Sequence, residues 1–167
     1  MAELTTQERL QPSLLDRLTD EEPGKREESR EKRVISATRL RDCVARDISW
    51  LLNCVNMGSS AELDDCPEVA RSVLNFGIPD LTGMAFAGVD ASVLQRQLRE
   101  ALLAFEPRLT GNTLRVVVSS DDKRMDQQSL VFNIESEMWA QPIPLNLYLK
   151  TEIDLETGRF NVSESLG

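Results

Sequence analysis

The sequence predicts an α+β fold, with N-terminal helices packed on a small antiparallel or mixed C-terminal β-sheet that ends in a hairpin. Three observations carry this expectation. Apolar residues recur at three-and-four spacing through the first hundred residues, Pro107 cuts that period off, and beyond Thr113 apolar and polar residues alternate. Two regions follow: residues 1–33 as an N-terminal docking patch and charged linker, and residues 34–167 as a single α+β domain.

The first structured piece is short. Ser13 is suited to cap one or two helical turns in which Leu14, Leu15 and Leu18 form an apolar face. Alone, so short a helix is unstable, so it should dock on the core or on a partner. Asp20 to Arg33 differs in kind: 11 of its 14 residues are charged, with Pro23-Gly24 in the middle, and it reads as a solvated spacer.

A long helix is expected from about Ser36 to Val55. Leu40, Val44, Ile48, Leu51, Leu52 and Val55 share one face, while Asp42, Arg46, Ser49 and Asn53 point away. A second helix is expected with Asp65 as cap and Pro67 in its first turn, running through Val69, Val73 and Leu74 and stopped by Gly77 and Pro79. Leu81 to Val89 reads as a loop. Asp90 then caps a third helix from Ala91 to Phe105, with Leu94, Leu98, Ala101, Leu102 and Phe105 on one face. Pro107 forbids its continuation.

Four strands should follow. Thr113–Ser119 and Ser129–Glu135 alternate, and Leu145, Leu147, Leu149 and Ile153 line one side of a long third strand. Glu156-Thr157-Gly158 turns the chain into a short last strand, Arg159–Val162. The third strand outruns this partner, so part of its backbone should be an unpaired edge open to another chain.

Composition narrows the function. The net charge is −9, which argues against a nucleic-acid surface, since phosphate binding needs clustered Lys and Arg. The longest uncharged run, Ile48 to Ala61, has 14 residues against the roughly 20 apolar ones of a spanning helix. The N-terminal residues carry an acid where a signal peptide would be basic, so a cytoplasmic protein without membrane insertion is expected. Cys43, Cys54 and Cys66 form no Cys-x-x-Cys pair, no histidine exists to complete a metal site, and buried reduced thiols are expected. No cofactor is called for.

The absence of histidine also removes the commonest general base, and no phosphate-binding or nucleophile-elbow motif is present. What remains for an enzyme is a carboxylate pair of the glycosidase kind, with Glu106 as acid and Glu135, Glu137 or Asp80 as partner. With 28 acidic residues such pairs arise by chance. The Glu106-Pro107-Arg108 segment asks for its own account. An acid at a helix C-terminus opposes the macrodipole, and an extended Pro107 would project Glu106 and Arg108 to one side. Either the two neutralise each other within the fold, or they form a rigid charged knuckle for a partner. Spacing alone leaves both open.

The segment Leu102-Leu103-Ala104-Phe105-Glu106-Pro107-Arg108-Leu109 resembles the signature of the TssE family of type VI secretion baseplates and the related small wedge proteins of contractile phage tails. Leu14-Leu15-Asp16-Arg17-Leu18, Leu74 to Leu81, and Ile134 to Ala140 leading into Pro142-Ile143-Pro144-Leu145 agree with it in order. The resemblance implies a structural baseplate subunit carrying a lysozyme-like label but no catalytic site. It implies that Glu106, Pro107 and Arg108 contact the TssF and TssG wedge. It also implies a sheath docking edge at Leu145, Leu147, Leu149, Thr151, Ile153, Phe160 and Val162, which would receive TssB and TssC. TssK and the spike or tube base would be further neighbours, at the cytoplasmic face of the inner membrane. A carboxylate-dependent muramidase and a free-standing cytosolic adaptor are the alternatives.

Overall fold

A computed structural model describes residues 13–19, 24, 36–82, 90–118, 129–140 and 144–165. The charged stretch 20–33 (apart from Gly24), the 33/34 boundary and residues 83–89 of the expected loop lie outside them. The elements run α1 (Leu14–Leu18), α2 (Ala37–Leu52), α3 (Pro67–Ala70), α4 (Ala91–Phe105), then β1 (Arg115–Val118), β2 (Ser129–Met138), β3 (Leu145–Asp154) and β4 (Arg159–Glu164). The α+β expectation holds. All four strands are antiparallel, in the order β1-β2-β3-β4.

The caps explain where the helices begin. Ser36 Oγ accepts from the Arg39 N–H, and Asp90 accepts from the N–H groups of Ser92 and Val93, each satisfying donors that the first turn leaves over. Leu40, Val44, Ile48, Leu51 and Leu52 of α2 and Leu94, Leu98, Ala101 and Leu102 of α4 are buried, as their spacing predicts, but α2 stops at Leu52 and Val55, expected on the same face, is 60% exposed. Both stripes pack on the inner face of the sheet. There Leu130, Phe132, Ile134 and Met138 of β2 lie beside Leu147, Leu149, Thr151 and Ile153 of β3. Because side chains alternate along a strand, one register places all of these inward. Truncating a fully buried residue such as Phe132 would cost about 3–5 kcal/mol.

The expected second helix is broken up. It stops at Ala70, and its cap position is Cys66, which makes no side-chain hydrogen bond, rather than Asp65. Ser72 donates to the Val69 carbonyl and accepts from the Leu74 N–H, starting a separate 3-10 turn over Val73–Asn75. Asn75 donates to the Ala70 carbonyl and accepts from the Gly58 N–H. Short polar side chains thus offer the backbone partners that a continuing helix would have supplied. Val73 and Leu74, expected within the helix, lie in this separate turn and are exposed. The cysteines also differ from expectation: all three are free, but only Cys43 is buried and Cys66 is exposed.

Gly77 is the tightest point of the connection. It sits at φ +123°, and a Cβ there would stand 2.4 Å from the Cys54 carbonyl oxygen. That approach lets Ile78 donate to the Cys54 carbonyl and Asn56 donate to the Ile78 carbonyl, a two-bond parallel bridge that fastens the 73–81 segment to the end of α2. Gly77→Ala adds a disfavoured backbone and a steric clash together, and should lower stability by about 3 kcal/mol. The midpoint of urea unfolding followed by circular dichroism measures it; a loss under about 0.5 kcal/mol would show that the bridge relaxes freely.

Candidate functional site

Phe105 closes α4, and Glu106 takes the C-cap, its N–H donating to the Leu102 carbonyl. The chain then turns rather than extending. The Leu109 N–H donates back to the Glu106 carbonyl at 3.2 Å, so Pro107 and Arg108 are the two central residues of a β-turn, with proline at the position its ring favours. Glu106 and Arg108 do reach the same side, as expected, but through this turn and not through strand alternation.

Neither side chain stands free. Glu106 is 4% exposed, and Arg108 grips it with a fork: Nε to Oε1 at 2.6 Å and Nη2 to Oε2 at 2.5 Å. The Arg108 backbone N–H also donates to Oε1. Arg108 Nη2 reaches Asp47 on α2 at 2.6 Å, and its side chain is 22% exposed. Of the two arrangements that spacing leaves open, the internal pairing is the one present. Glu106 is internal, and only Arg108 retains a strip of surface. Burial works against the Arg108 charge, yet the Glu106 and Asp47 carboxylates hold its pKa well above the ordinary value. Its Nη1 is buried without a partner among the described residues.

The contacts continue beyond Asp47. Arg46, expected on the solvent face, donates to Asp47 through Nε and Nη2 and to Asp16 of α1 through Nη1 at 2.7 Å. Asp16 in turn accepts from the Ser13 hydroxyl at 2.6 Å. Five charges thus alternate in one line, Glu106, Arg108, Asp47, Arg46 and Asp16, drawn from three separate segments. Burial raises the Asp16 pKa, but hydrogen bonds from Ser13 and Arg46 outweigh it and leave the carboxyl below its usual range. Burial, with Asp16 nearby, pushes the Cys43 thiol up. Arg46 is held above its ordinary value against its own burial by Asp16 and Asp47.

Both tryptophans flank this line. The Arg46 guanidinium carbon lies 5.0 Å from the Trp50 ring centroid, a cation–π contact. Trp139 donates its backbone N–H to the Arg108 carbonyl and leaves its side chain 65% exposed. The turn is further welded to the end of β2 by the Leu109–Met138 bridge and by the Thr110 N–H on the Glu137 carbonyl. The α1 leucines Leu14, Leu15 and Leu18 point outward, since the polar side of that helix is the one held by α2. Sequence spacing assigns Arg46 to solvent and gives no site role to Asp47, Asp16 or the tryptophans. The adjacent opposite charges Arg46-Asp47 within an amphipathic helix were the available signal.

Of the carboxylates considered as catalytic partners, Asp80 and Glu135 lie apart from the turn, and half-buried Glu137 meets it through its backbone carbonyl. Asp80 Oδ1 accepts from Thr82, which holds its pKa low, and Glu135 is exposed on the outer face of β2. A groove beside the β3–β4 turn is lined by Asn53, Asp80, Thr82, Arg159 and their neighbours, and does not include Glu106. Among the described residues no cluster of His, Cys, Asp and Glu could hold a metal ion, and no helix is long and apolar enough to cross a membrane.

The expected docking residues divide. Leu147, Leu149, Thr151, Ile153 and Phe160 are buried in the core, Leu145 and Val162 are half-buried against it. Any docking along this part of the sheet uses backbone groups, not these side chains. The third strand is indeed longer than its partner: β3 pairs with β2 over its whole length but with β4 only from Leu149 to Asp154.

Residues 38–143, from α2 to just short of β3, match the family described as baseplate wedge protein gp25. A crystal structure from Geobacter sulfurreducens described as a tail lysozyme resembles the chain at 19% identity and a TM-score of 0.44, over 70% of this chain and 92% of that one. No curated protein matches the chain.

Removing Arg108 should leave Glu106 buried without its partner, so Arg108→Met should cost about 3–5 kcal/mol. In Glu106→Leu/Arg108→Met the loss should be smaller than in Arg108→Met alone. Denaturant unfolding of the two variants measures this, and equal losses would mean the fork is not the source. Acid should release α1. The Asp16 carboxyl titrates below its ordinary value, so its contribution is full above that value and is lost as pH falls through the lowered one, that is below about pH 4. In a Trp139→Phe background, Trp50 fluorescence should change in that window as Arg46 is released, and Asp16→Asn should show the change already at pH 7. Identical acid titrations for both proteins would remove Asp16 from the account.

Proposed function

The chain belongs to the gp25 baseplate wedge family, and from that membership we propose that it is the TssE-type subunit of a type VI secretion baseplate. Membership makes it a structural component of the baseplate of a contractile injection system. The finer reading is that it joins the TssF and TssG wedge to the contractile sheath and helps start sheath polymerisation, with TssK and the tube base as neighbours, at the cytoplasmic face of the inner membrane.

The observation that carries this reading is the charged turn within the matched span. Glu106, Pro107 and Arg108 are held rigid by a bidentate ion pair, by Asp47 and by the end of β2; Arg108 keeps a partly exposed edge, and Trp139, bonded to its carbonyl through the backbone, carries an exposed ring. Arginine and tryptophan on a preorganised support are favourable contact residues, because little side-chain freedom remains to be lost on binding. Glu106 serves as the support and Arg108 with Trp139 as the contact.

The muramidase reading has little to stand on. Both carboxylate oxygens of Glu106 are occupied by Arg108, so neither is free to protonate a glycosidic oxygen.

A tagged chain purified from a cell with an intact secretion machine should carry TssF and TssG with it. Trp139→Ala, which removes an exposed side chain and leaves the fork in place, should reduce that recovery at least about tenfold while unfolding at an unchanged urea concentration. Recovery of neither wedge protein by the wild type would overturn the assignment; undiminished recovery by Trp139→Ala would move the contact elsewhere.

A further inference from the structure

The outer edge of β4 is open over only part of its length. In the β3–β4 ladder Phe160 lies opposite Ile153, Val162 opposite Thr151 and Glu164 opposite Leu149. The Ser165 N–H donates to the Tyr148 carbonyl, one position further on, which places the ladder bonds at Ser165, Ser163, Asn161 and Arg159. In an antiparallel pair the residues between these turn both backbone groups away from the partner strand. Phe160, Val162 and Glu164 therefore face the outer edge.

At Phe160 that edge is already occupied. Asn53, the C-cap of α2, accepts from the Phe160 N–H through Oδ1 and donates to the Phe160 carbonyl through Nδ2, each at 3.0 Å. One side-chain amide makes both bonds that a neighbouring strand would make. The same helix acts at the other end, where Arg41 Nε donates to the Asn146 carbonyl of β3, just past the last ladder bond. Among the described residues nothing bonds the outward groups of Val162 and Glu164.

We propose that Asn53 is a register stop, and that the β4 edge receives one extended partner strand only at Val162 and Glu164, with pairing ending where Asn53 caps Phe160. The inference rests on the reading of this edge as a docking site and adds to it the length and the end point of the pairing. The occupant is a strand because the window offers two outward N–H groups and two outward carbonyls at strand spacing, with the side chains of β4 already packed inward or in solvent. Its chemistry is set by the exposed Glu164 on a chain of net charge −9: a Lys or Arg opposite Glu164 is favoured, and an acid there is not.

Residue-resolved amide hydrogen exchange tests this on the free chain and on the purified baseplate–sheath assembly. In the free chain the Phe160 amide should exchange at least about tenfold more slowly than the Val162 amide, and Asn53→Ala should bring Phe160 up to the Val162 rate. Asn53→Asp, which keeps the acceptor, should retain the Phe160 protection. On assembly, Val162 and Glu164 should slow at least about tenfold while Phe160 stays as it was. A Phe160 amide that exchanges as fast as Val162 in the free chain, or that slows together with it on assembly, overturns the register stop and leaves edge docking standing. No slowing at any β4 amide on assembly overturns both.

Discussion

The Glu106–Arg108–Asp47 contact is the constraint around which the molecule is arranged. A buried carboxylate loses its hydration, and the loss is tolerable only when its oxygens are filled by well-aligned donors. Here the donors come from two residues further along, which forces the chain to turn tightly at Pro107. The turn in turn fixes where α4 stops and where the chain meets β2. Arg108 then needs a second anion on its outer side, and Asp47 supplies it, so α2 cannot slide along its axis without leaving a cation short of a partner. Replacing such a network with apolar residues can leave a protein as stable, so its value lies more in selecting one arrangement of α2, α4 and the sheet than in net energy.

Much of this was legible in the sequence. The stripes of α2 and α4, the cap Asp90, the stop at Pro107 and the alternation of β3 each follow from local sequence signals, and apart from the exposed Val55 the structure has them where those signals put them. Local rules failed where a side chain's partner lies far along the chain. Arg46 and Asn53 sit on the polar side of a helical wheel, which says only that they avoid the apolar core. One of them joins α1 and the other joins β4, 107 residues away. Glu106 and Arg108 stand out as a pair, but burial cannot be read from spacing, so the internal and the partner-facing readings stay open there. The failed second helix has a different origin: its apolar period was real, and Ser72 and Asn75 broke it with bonds of their own.

The polar side of α2 has accordingly a larger role than its composition indicates. Arg41 reaches β3, Arg46 reaches α1, Asp47 reaches the turn after α4, and Asn53 reaches β4. Each bond goes to a different element. Its apolar side supplies the burial, which is the larger energy but is indifferent to small shifts; the four polar contacts supply direction. A helix of this kind orients its neighbours from both sides at once.

The sheet has consequences for how the molecule comes together. Each strand pairs with the next in sequence, and Met138 meets Leu145 across a short connection, so the three ladders need only local loop closures. The Asn53–Phe160 bonds are the opposite, joining a helix near the start of the domain to its fourth strand. During synthesis α2 is made long before the strand that holds its C-terminus, and its apolar stripe, which α4 and β3 cover in part, is not closed over until β4 has been added. The order of manufacture and the order of assembly run against each other, and the first long helix is among the last elements to find its final place.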